Sequence, residues 1–397
     1  MKRLSLLSLA CLTFVLFINS CTNDVITEGD IDIVDNKNVE YEEALNNVLT
    51  FNGGSGTKAD ESITIKSSSV QTYSYKLGGV KTKSSGQEIP DSASINIFTF
   101  VIEKDGSEGF AIASGDERIS RVYAYTENGQ LSDTSYIGGL AYTLSMFPYI
   151  YEQELTEYYT NDNITTKAAS QTYLINIGPN VITKWGQKSP YNLRCPAGST
   201  CTNTLVGCGG IAAAQALAYL NPAKIMSGVD YSLINSSPSP SEVNQEDMAA
   251  LLCFNVAYGI GTTFGCSGSS IPNIKKTNSY LGSFNINTEY NEGNLKINNC
   301  INSIALNGIT IASGVQKKGD KTGHVWLYDG VKGNFNLTGD TSRPYEKTEN
   351  WPIFHCNWGW EGKSDGWYLS GYWESPSSKQ YGYIANNEQI YIWGVTR

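Results

Sequence analysis

Apolar and polar residues follow two different periods in the first half of this chain of 397 residues. At 41–51 and 137–159 the apolar residues recur at helical spacing, which predicts a helix in each place. Three strand-like apolar runs, at 95–103, 110–114 and 121–125, are separated by short turn signals. This half of the chain is therefore predicted to be a small α+β domain.

A third helix is predicted at 211–220, where alanine and leucine dominate and Asn221 and Pro222 supply a stop. Cys208 stands at its beginning. The unpaired N–H groups and the dipole of a first helical turn favour a negative charge, so a thiol there ionises more easily. A lone free cysteine is more often a buried apolar side chain, and its role depends on which groups surround it.

The chain begins with the pattern of an export signal. Basic residues precede an apolar segment that ends before Cys21, and residues 1–20 are interpreted as a lipoprotein signal peptide with Cys21 as the lipidated residue. Ordinary secretion, with Cys21 as a spare thiol, is the alternative. The acidic segment 21–39 is interpreted as a tether, and the polar run 161–170 as a linker, which sets the domains at 40–168 and 169–397.

Composition narrows the function classes. The formal net charge of −10 argues against nucleic-acid binding. No apolar run after the signal is long enough to cross a bilayer. No cofactor is predicted.

Seven cysteines follow Cys21, and all of them lie in the second domain. An odd number leaves at least one unpaired in an oxidising compartment, and the sequence does not choose among the possible pairings. None of them has the close C-x2-C spacing that is typical of a zinc site, so a metal is not predicted.

A catalytic cysteine needs a base, and the chain offers two histidines. His324 follows a glycine at the head of a predicted strand, where its ring can face a cleft. His355 lies on a run whose alternation directs it and Asn357 to one face and Cys356 to the other.

Four blocks of the second domain resemble the streptopain family of papain-like cysteine peptidases, family C10. They are Trp-Gly-Gln at 185–187, the helix with its cysteine at 207–215, Gly-His-Val-Trp at 323–326 and Asn-Trp-Gly-Trp at 357–360. The run at 109–118 resembles the propeptide of that family. The resemblance implies an α+β fold: a papain-like two-lobed catalytic domain, with the cysteine on a helix and the histidine on an antiparallel sheet, preceded by a small α+β inhibitory propeptide domain.

The resemblance also implies a role for each matched residue. Cys208 would be the nucleophile and His324 the base that keeps it ionised. The Gln187 side-chain amide and the Cys208 backbone N–H would stabilise the oxyanion. Asn357 would orient the imidazole, and Trp358 would cover that hydrogen bond.

Two features depart from the family pattern. Gly209 and Gly210 follow the cysteine where the family usually has a larger residue and a small one, and Glu361 stands where glycine is common. Neither removes a group that the chemistry needs.

The sequence therefore predicts an exported cysteine endopeptidase zymogen that is kept latent by its own propeptide and acts on proteins or peptides. The expected location is the outer membrane, periplasm or cell surface of a bacterium, with a membrane anchor on Cys21 and no nucleic-acid partner. Two alternatives remain open: an inactive peptidase-like binding lipoprotein, and a transglutaminase-like acyl transferase.

Overall fold

The computed structural model describes residues 28–51, 62–77, 89–160, 175–222, 224, 226–271, 273–315, 323–347, 352–370 and 388–393. By its contacts the chain divides after Asn38, and Val39–Arg397 form the larger unit. The signal peptide, Cys21 and the predicted linker lie outside the described residues. Among the described helices, none combines the length and the apolar character that a membrane crossing requires.

The first part of the chain contains three helices and four strands. In chain order they are α1 (Glu28–Thr50), β1 (Ile63–Lys76), β2 (Ser92–Lys104), β3 (Ser107–Ser114), β4 (Arg121–Thr126), α2 (Gly138–Ser145) and α3 (Phe147–Thr160). A short 3-10 helix at Leu131–Ser135 precedes α2.

The second part places its helices before most of its strands. The elements are β5 (Ile175–Ile177), α4 (Cys208–Leu220), α5 (Tyr231–Ile234), α6 (Val243–Gly259), α7 (Ile274–Gly282), β6 (Thr288–Glu292), α8 (Ile297–Ala305), β7 (Ile309–Val315), β8 (Gly323–Gly333), β9 (Phe335–Leu337), β10 (Tyr345–Lys347), β11 (Ile353–Asn357), β12 (Gly366–Leu369) and β13 (Glu388–Ile392).

One antiparallel sheet runs through both parts. Its order is β1-β2-β3-β4-β12-β11-β8-β7-β13-β6, with β5 beside β8, and β9 and β10 form a separate pair. The parts meet where β4 pairs with β12, Trp367 opposite Tyr125 and Tyr368 opposite Ala124. The predicted α+β class, with an antiparallel sheet that carries the histidine, is confirmed.

Apolar side chains form two cores. One includes Phe100 and Tyr123 of the first part together with Phe354 and Tyr368 of the second, so the two parts share a single buried interior. The other surrounds α4 and includes residues of α6 and α7. Because every residue of α4 except Cys208 and Tyr219 is buried, its first turn is held in a fixed position.

Two predicted helices differ from those observed, and one observed strand was not predicted. Strands β2, β3 and β4 lie where the sequence predicts them. Strand β1 is an edge strand that was not predicted: most of its side chains are exposed, so its sequence lacks the alternation of apolar and polar residues that indicates a strand. The predicted helix at 137–159 is two helices, because Pro148 lacks the N–H that would continue the first one. Helix α1 begins at Glu28, inside the segment interpreted as a tether.

A buried lysine lies where the two parts join. The Lys332 ammonium of β8 lies 4.2 Å from the Phe51 ring centroid and 4.3 Å from that of Trp367. It donates to the Phe51 carbonyl at 3.4 Å. Burial lowers the pKa of Lys332 to about 7, against a smaller opposing effect of Glu127. In the folded chain the lysine therefore binds fewer protons than in the unfolded chain between about pH 7 and its ordinary pKa of ~10.4.

We expect Lys332→Met to show a pH-dependent effect on stability. The buried charge opposes folding most below about pH 7, and this penalty disappears as the pH rises toward ~10. Lys332→Met should therefore increase the free energy of unfolding above that of the parent by more near pH 6 than near pH 9. Urea unfolding at both pH values measures it. The exposed Lys66→Met, which loses only a surface ion pair with Glu103, should show no such difference; equal pH dependence in both variants would contradict the assignment.

Candidate active site

The cysteine predicted to be the nucleophile opens helix α4. Gly207 precedes it with φ of 88°, and a Cβ on Gly207 would lie 3.1 Å from the Ser269 Cβ. The positive φ favours glycine at this position, and the close approach of Ser269 adds to that preference. Asn221 ends the helix in the left-handed conformation, in agreement with the predicted stop.

Close packing explains the two glycines that follow Cys208. A Cβ on Gly209 would lie 2.9 Å from the Ile271 side chain, and one on Gly210 would lie 2.9 Å from Val206 and 3.0 Å from Ala257 of α6. Larger residues there would push the helix away from its neighbours. The departure from the family pattern therefore accompanies a close approach of α4 to α6.

A disulfide lies beside the segment that leads into α4. It joins Cys201 to Cys266, and the Leu205 N–H donates to the Gly265 carbonyl at 3.0 Å between the same two segments. The other described cysteines, including Cys208, are not paired with another sulfur. Of the pairings that the sequence left open, one is formed, and it leaves the predicted nucleophile a thiol.

The structure brings His324 to Cys208. His324 is the second residue of β8, and its side chain is buried. Its Nε2 lies 2.9 Å from the Trp358 carbonyl oxygen, and its ring stacks on that of Trp326 with 6.4 Å between centroids. Since a carbonyl only accepts, Nε2 carries a proton, and the other ring nitrogen is left to interact with the thiol.

The electrostatics of this pair favour its charged form. Burial of the Cys208 thiol opposes ionisation, but the charge of His324 and hydrogen bonds from the His324 ring, the Val325 N–H and the Gly209 N–H outweigh it and lower the pKa. Burial likewise opposes protonation of His324, and the charge of Cys208 together with hydrogen bonds to Cys208 and the Trp358 carbonyl raises its pKa above the ordinary value. Opposite shifts in contacting groups are what an ionised thiolate and imidazolium require.

Gln187 lies on the segment next to the one that leads into α4. Its backbone carbonyl accepts from the N–H of Val206 at 3.1 Å, and Val206 stands two positions before Cys208. This hydrogen bond holds the segment of Gln187 beside the segment that leads into α4. The Gln187 side chain is buried, and no hydrogen bond joins it to the described residues. Its position is compatible with the predicted oxyanion role.

Asn357 does not orient the imidazole as the sequence predicted. Its Nδ2 donates to the Thr183 carbonyl at 2.9 Å and to Gln215 Oε1 at 3.3 Å, and its Oδ1 accepts from Gln215 Nε2 at 3.0 Å. Within the described part of the chain no hydrogen bond joins Asn357 to His324. The side chain is already committed to these partners, and the carbonyl of the next residue, Trp358, contacts His324 instead.

Trp358 is fully buried and anchored on both sides. Its indole N–H donates to the Ser364 carbonyl at 2.8 Å, and its backbone N–H donates to Asp365 Oδ1 at 2.8 Å. Its ring lies 5.6 Å from that of Trp326, centroid to centroid. It therefore fixes the carbonyl that contacts His324 and fills the space beside it.

The second histidine is engaged elsewhere. His355 Nδ1 lies 2.6 Å from Oδ1 of the buried Asp329. Both His355 and Asn357 line a cleft of about 530 Å³ at the junction of the two parts, with Asp365 and Lys332. The alternation predicted for His355 and Asn357 is thus observed, but His355 is not the partner of Cys208.

Glu361 occupies the other departure from the family pattern. It has φ of 57°, a conformation in which glycine is favoured. Its N–H donates to the Trp185 carbonyl at 3.1 Å, and its side chain covers Gly186, where a Cβ would lie 2.6 Å from Glu361 Cγ. These contacts offset the backbone strain and tie the segment after Trp358 to the segment of Gln187.

The first part of the chain covers the site. A Cβ on Gly139 of α2 would lie 2.7 Å from His324 Cδ2 and 2.7 Å from Trp358 Cζ3, so the backbone of α2 rests on both rings. Tyr136 stacks edge-on against Trp360 at 5.3 Å between centroids. Access to the His324 side chain is therefore restricted by residues 138–139.

Sequence reasoning missed three residues of this arrangement. Gln215, Thr183 and Gly139 all contact or support the predicted site residues. Gln215 carried a usable signal, because it and Tyr219 bear the polar groups of an alanine-rich helix, and it stands seven positions after Cys208, about two turns along the same face. Among the described residues no cluster of three or more metal-ligating side chains occurs.

Comparisons with known proteins agree with this geometry. The profile of the peptidase C10 family matches residues 227–368, a segment that contains His324, Asn357 and Trp358. No curated protein matches the chain.

Two solved structures from Prevotella intermedia are similar. One is a mutant fragment of prointerpain A, 18% identical, which covers 75% of this chain and 96% of that chain with a TM-score of 0.51. The other is active wild-type interpain A cysteine protease, 19% identical, which covers 56% of this chain and 97% of that chain with a TM-score of 0.41. The first match extends over both parts of the chain and shows a shared fold. The profile match shows that residues 227–368 are similar to the peptidase C10 family, which confirms the resemblance noted in the sequence.

Proposed function

We propose that this chain is the zymogen of a cysteine endopeptidase. The observation that carries the proposal is the contact between the Cys208 thiol, at the first turn of α4, and the imidazole of His324, whose Nε2 is fixed by the Trp358 carbonyl. The family and the fold support a cysteine peptidase. The assignment of endopeptidase activity rests on the roles proposed here for these residues.

The chemistry begins with attack of the Cys208 thiolate on a peptide carbonyl carbon. A C–S bond forms, the carbonyl oxygen becomes negative, and the Cys208 N–H and the Gln187 amide are the proposed donors to it. The His324 imidazolium then gives its proton to the leaving amine as the C–N bond breaks. Water, deprotonated by His324, hydrolyses the thioester and restores the thiol.

The carbonyl of Trp358 takes the role that was expected of Asn357. It accepts a hydrogen bond from the Nε2–H, which selects the tautomer and the ring orientation and stabilises the imidazolium. Because the carbonyl belongs to a buried, doubly anchored residue, it can hold the ring without rearranging during the reaction.

Latency is proposed to come from the first part of the chain. Gly139 leaves only backbone between α2 and the rings of His324 and Trp358, and Tyr136 covers Trp360. A substrate needs the same space. Cleavage between about residues 160 and 184 would release the cover, and the interpretation of 161–170 as the cleavable linker remains a prediction.

Export and membrane anchoring through Cys21 are also proposed, on the sequence alone. The Cys201–Cys266 disulfide is compatible with an oxidising compartment. The two alternative functions differ from the proposal in what they make: an inactive binding protein yields no product, and an acyl transferase joins an added amine to the substrate.

The cysteines without a disulfide differ in their readiness to ionise. Burial raises the pKa of Cys195 to about 11 and that of Cys300 to about 12, and it raises those of Cys253 and Cys356 well above the ordinary value. Only Cys208 among these five has a lowered pKa. A thiol reagent should therefore discriminate among them.

We expect iodoacetamide to alkylate Cys208 of the matured protein before any other cysteine. Its lowered pKa keeps the thiolate populated below the pH at which an ordinary thiol ionises, so alkylation should persist toward lower pH and decline only as the pH falls through that pKa. Peptide mapping after short exposure locates the label. In His324→Ala the alkylation of Cys208 near neutral pH should slow markedly; first labelling at one of the other cysteines would count against the site.

Cys208→Ala should abolish casein hydrolysis and self-maturation while the melting temperature stays near that of the parent. The thiolate that forms the thioester is lost, whereas the side chain contributes little to the core. Gel assays of casein and of the precursor, with reductant and with an added amine to detect acyl transfer, give the readout. Cys300→Ala, which removes a buried thiol outside the site, should keep activity. Casein hydrolysis retained by purified Cys208→Ala would disprove the proposal.

Gly139→Ala should weaken latency. Its Cβ would overlap the His324 and Trp358 rings, which costs about 1–3 kcal/mol and raises the open fraction of the precursor by about tenfold or more. The initial rate of the uncleaved precursor on a short peptide measures this. Gly138→Ala is the matched control, because its Cβ would lie at an ordinary 3.4 Å from His324. Equal latency in the two variants would argue against covering by α2.

A further inference from the structure

Gln215 is the polar centre of the wall behind the proposed site. It lies on α4 about two turns after Cys208, and its side chain is fully buried. Its Oε1 accepts from the Thr183 hydroxyl at 3.1 Å and from the Trp185 N–H at 3.1 Å. Its Nε2 donates to Asn357 Oδ1 at 3.0 Å. One amide thus joins α4 to two other segments.

Asn357 extends this network to the residue that contacts His324. Its Nδ2 donates to the Thr183 carbonyl at 2.9 Å, and its Oδ1 also accepts from the Gly359 N–H at 3.1 Å. The Asn357 side chain therefore holds both backbone flanks of Trp358. The position of the Trp358 carbonyl, 2.9 Å from His324 Nε2, follows from this bracing.

We infer that Gln215 is a positioning residue for the peptidase reaction, which sets the Trp358 carbonyl and the Gln187 segment relative to Cys208 by means of Asn357, Thr183 and Trp185. The inference rests on the proposed function. The three segments so joined carry the nucleophile, the oxyanion donor and the group that orients the base. Gln215 touches none of the reacting atoms, and it acts only by fixing where they lie.

An amide is suited to this position in a way that other side chains are not. Gln215 donates and accepts at the same time, whereas a carboxylate only accepts and an apolar side chain does neither. Asn357 cannot compensate by rotating its amide, because the Thr183 carbonyl needs a donor on the side where Nδ2 now lies. A change at 215 therefore leaves buried groups unpaired on two segments at once.

The expected size of the effect follows from the geometry of catalysis. A displacement of about 1 Å between reacting groups can cost ~10²-fold in rate. If Gln215 only satisfied buried backbone groups, its loss would lower the melting temperature and leave the chemistry of the remaining folded molecules unchanged. The two roles are therefore separable by measurements on folded protein.

The test compares Gln215→Met and Gln215→Glu with a matched glutamine elsewhere in the chain. Gln389 of β13 is also buried and bonded on both ends: it accepts from Asn291 Nδ2 at 2.6 Å and donates to the Gly293 carbonyl at 3.1 Å. Gln389→Met and Gln389→Glu impose the same chemical change away from the site. Full-length proteins are matured, and kcat, KM, melting temperature and the pH dependence of Cys208 alkylation are measured for each.

We expect Gln215→Met to lower kcat by about 10²-fold with little change in KM, and the acid limb of the alkylation profile to move to higher pH, because a displaced imidazole holds the thiolate less well. Gln215→Glu keeps the acceptor for Thr183 and Trp185 but cannot donate to Asn357. We expect it to lower kcat and to shift the alkylation profile in the same direction as Gln215→Met, but by less. Both Gln389 variants should keep the parent kcat and alkylation profile, whatever their melting temperatures.

The experiment distinguishes failure of the positioning role of Gln215 from failure of the proposed peptidase function. Normal kcat and an unshifted alkylation profile in a folded Gln215 variant overturn the positioning role and leave the peptidase assignment intact. If Gln215→Met does not fold, Gln215→Glu gives the decision by the same two readouts. A parent protein without peptidase activity contradicts the proposed function, and the alkylation profile then still decides whether Gln215 sets the geometry of Cys208 and His324.

Discussion

The structure depends on a thiol and an imidazole that stay close together in a place where burial opposes the charge of each. Cys208 and His324 lie on different elements, a helix in one core and a strand between the two cores, more than a hundred residues apart in sequence. Their mutual attraction has to exceed two desolvation penalties, so small changes in separation alter the protonation of both. Much of the surrounding architecture can be understood as restraint on that separation.

The restraint comes from several independent directions. Glycines let α4 approach α6, a disulfide and a backbone hydrogen bond hold the segment that leads into the helix, and a carbonyl from a buried tryptophan holds the ring. Together they confine groups on three segments of the chain, as preorganisation of an electrostatic site requires.

Much of the fold and the contact between Cys208 and His324 could be predicted from the sequence, because the signals were local. The alanine-rich helix with a cysteine at its start, strands β2 to β4, and the glycine before His324 all depend on residues that are neighbours in the chain. The scarcity of histidine reduced the choice of base to two. The hydrogen bonds of Asn357 could not be predicted, because Gln215 and Thr183 lie on distant segments. The contact of His324 with the Trp358 carbonyl could not be predicted either, because every residue has a backbone carbonyl and residue type does not reveal its use. Edge strand β1 was missed for a related reason: with most of its side chains in solvent, it has no apolar pattern to detect.

The sheet that runs through both parts has a consequence for any matured form. Strand β12 is hydrogen-bonded on one side to β11 and on the other to β4 of the first part. If the first part leaves, the outer backbone groups of β12 lose their partners, and an unpaired strand edge readily accepts an extended segment from another molecule. The newly opened surface would then include the free backbone edge of β12 as well as the space beside His324, and another segment of the chain or a strand from a second molecule could pair with that edge.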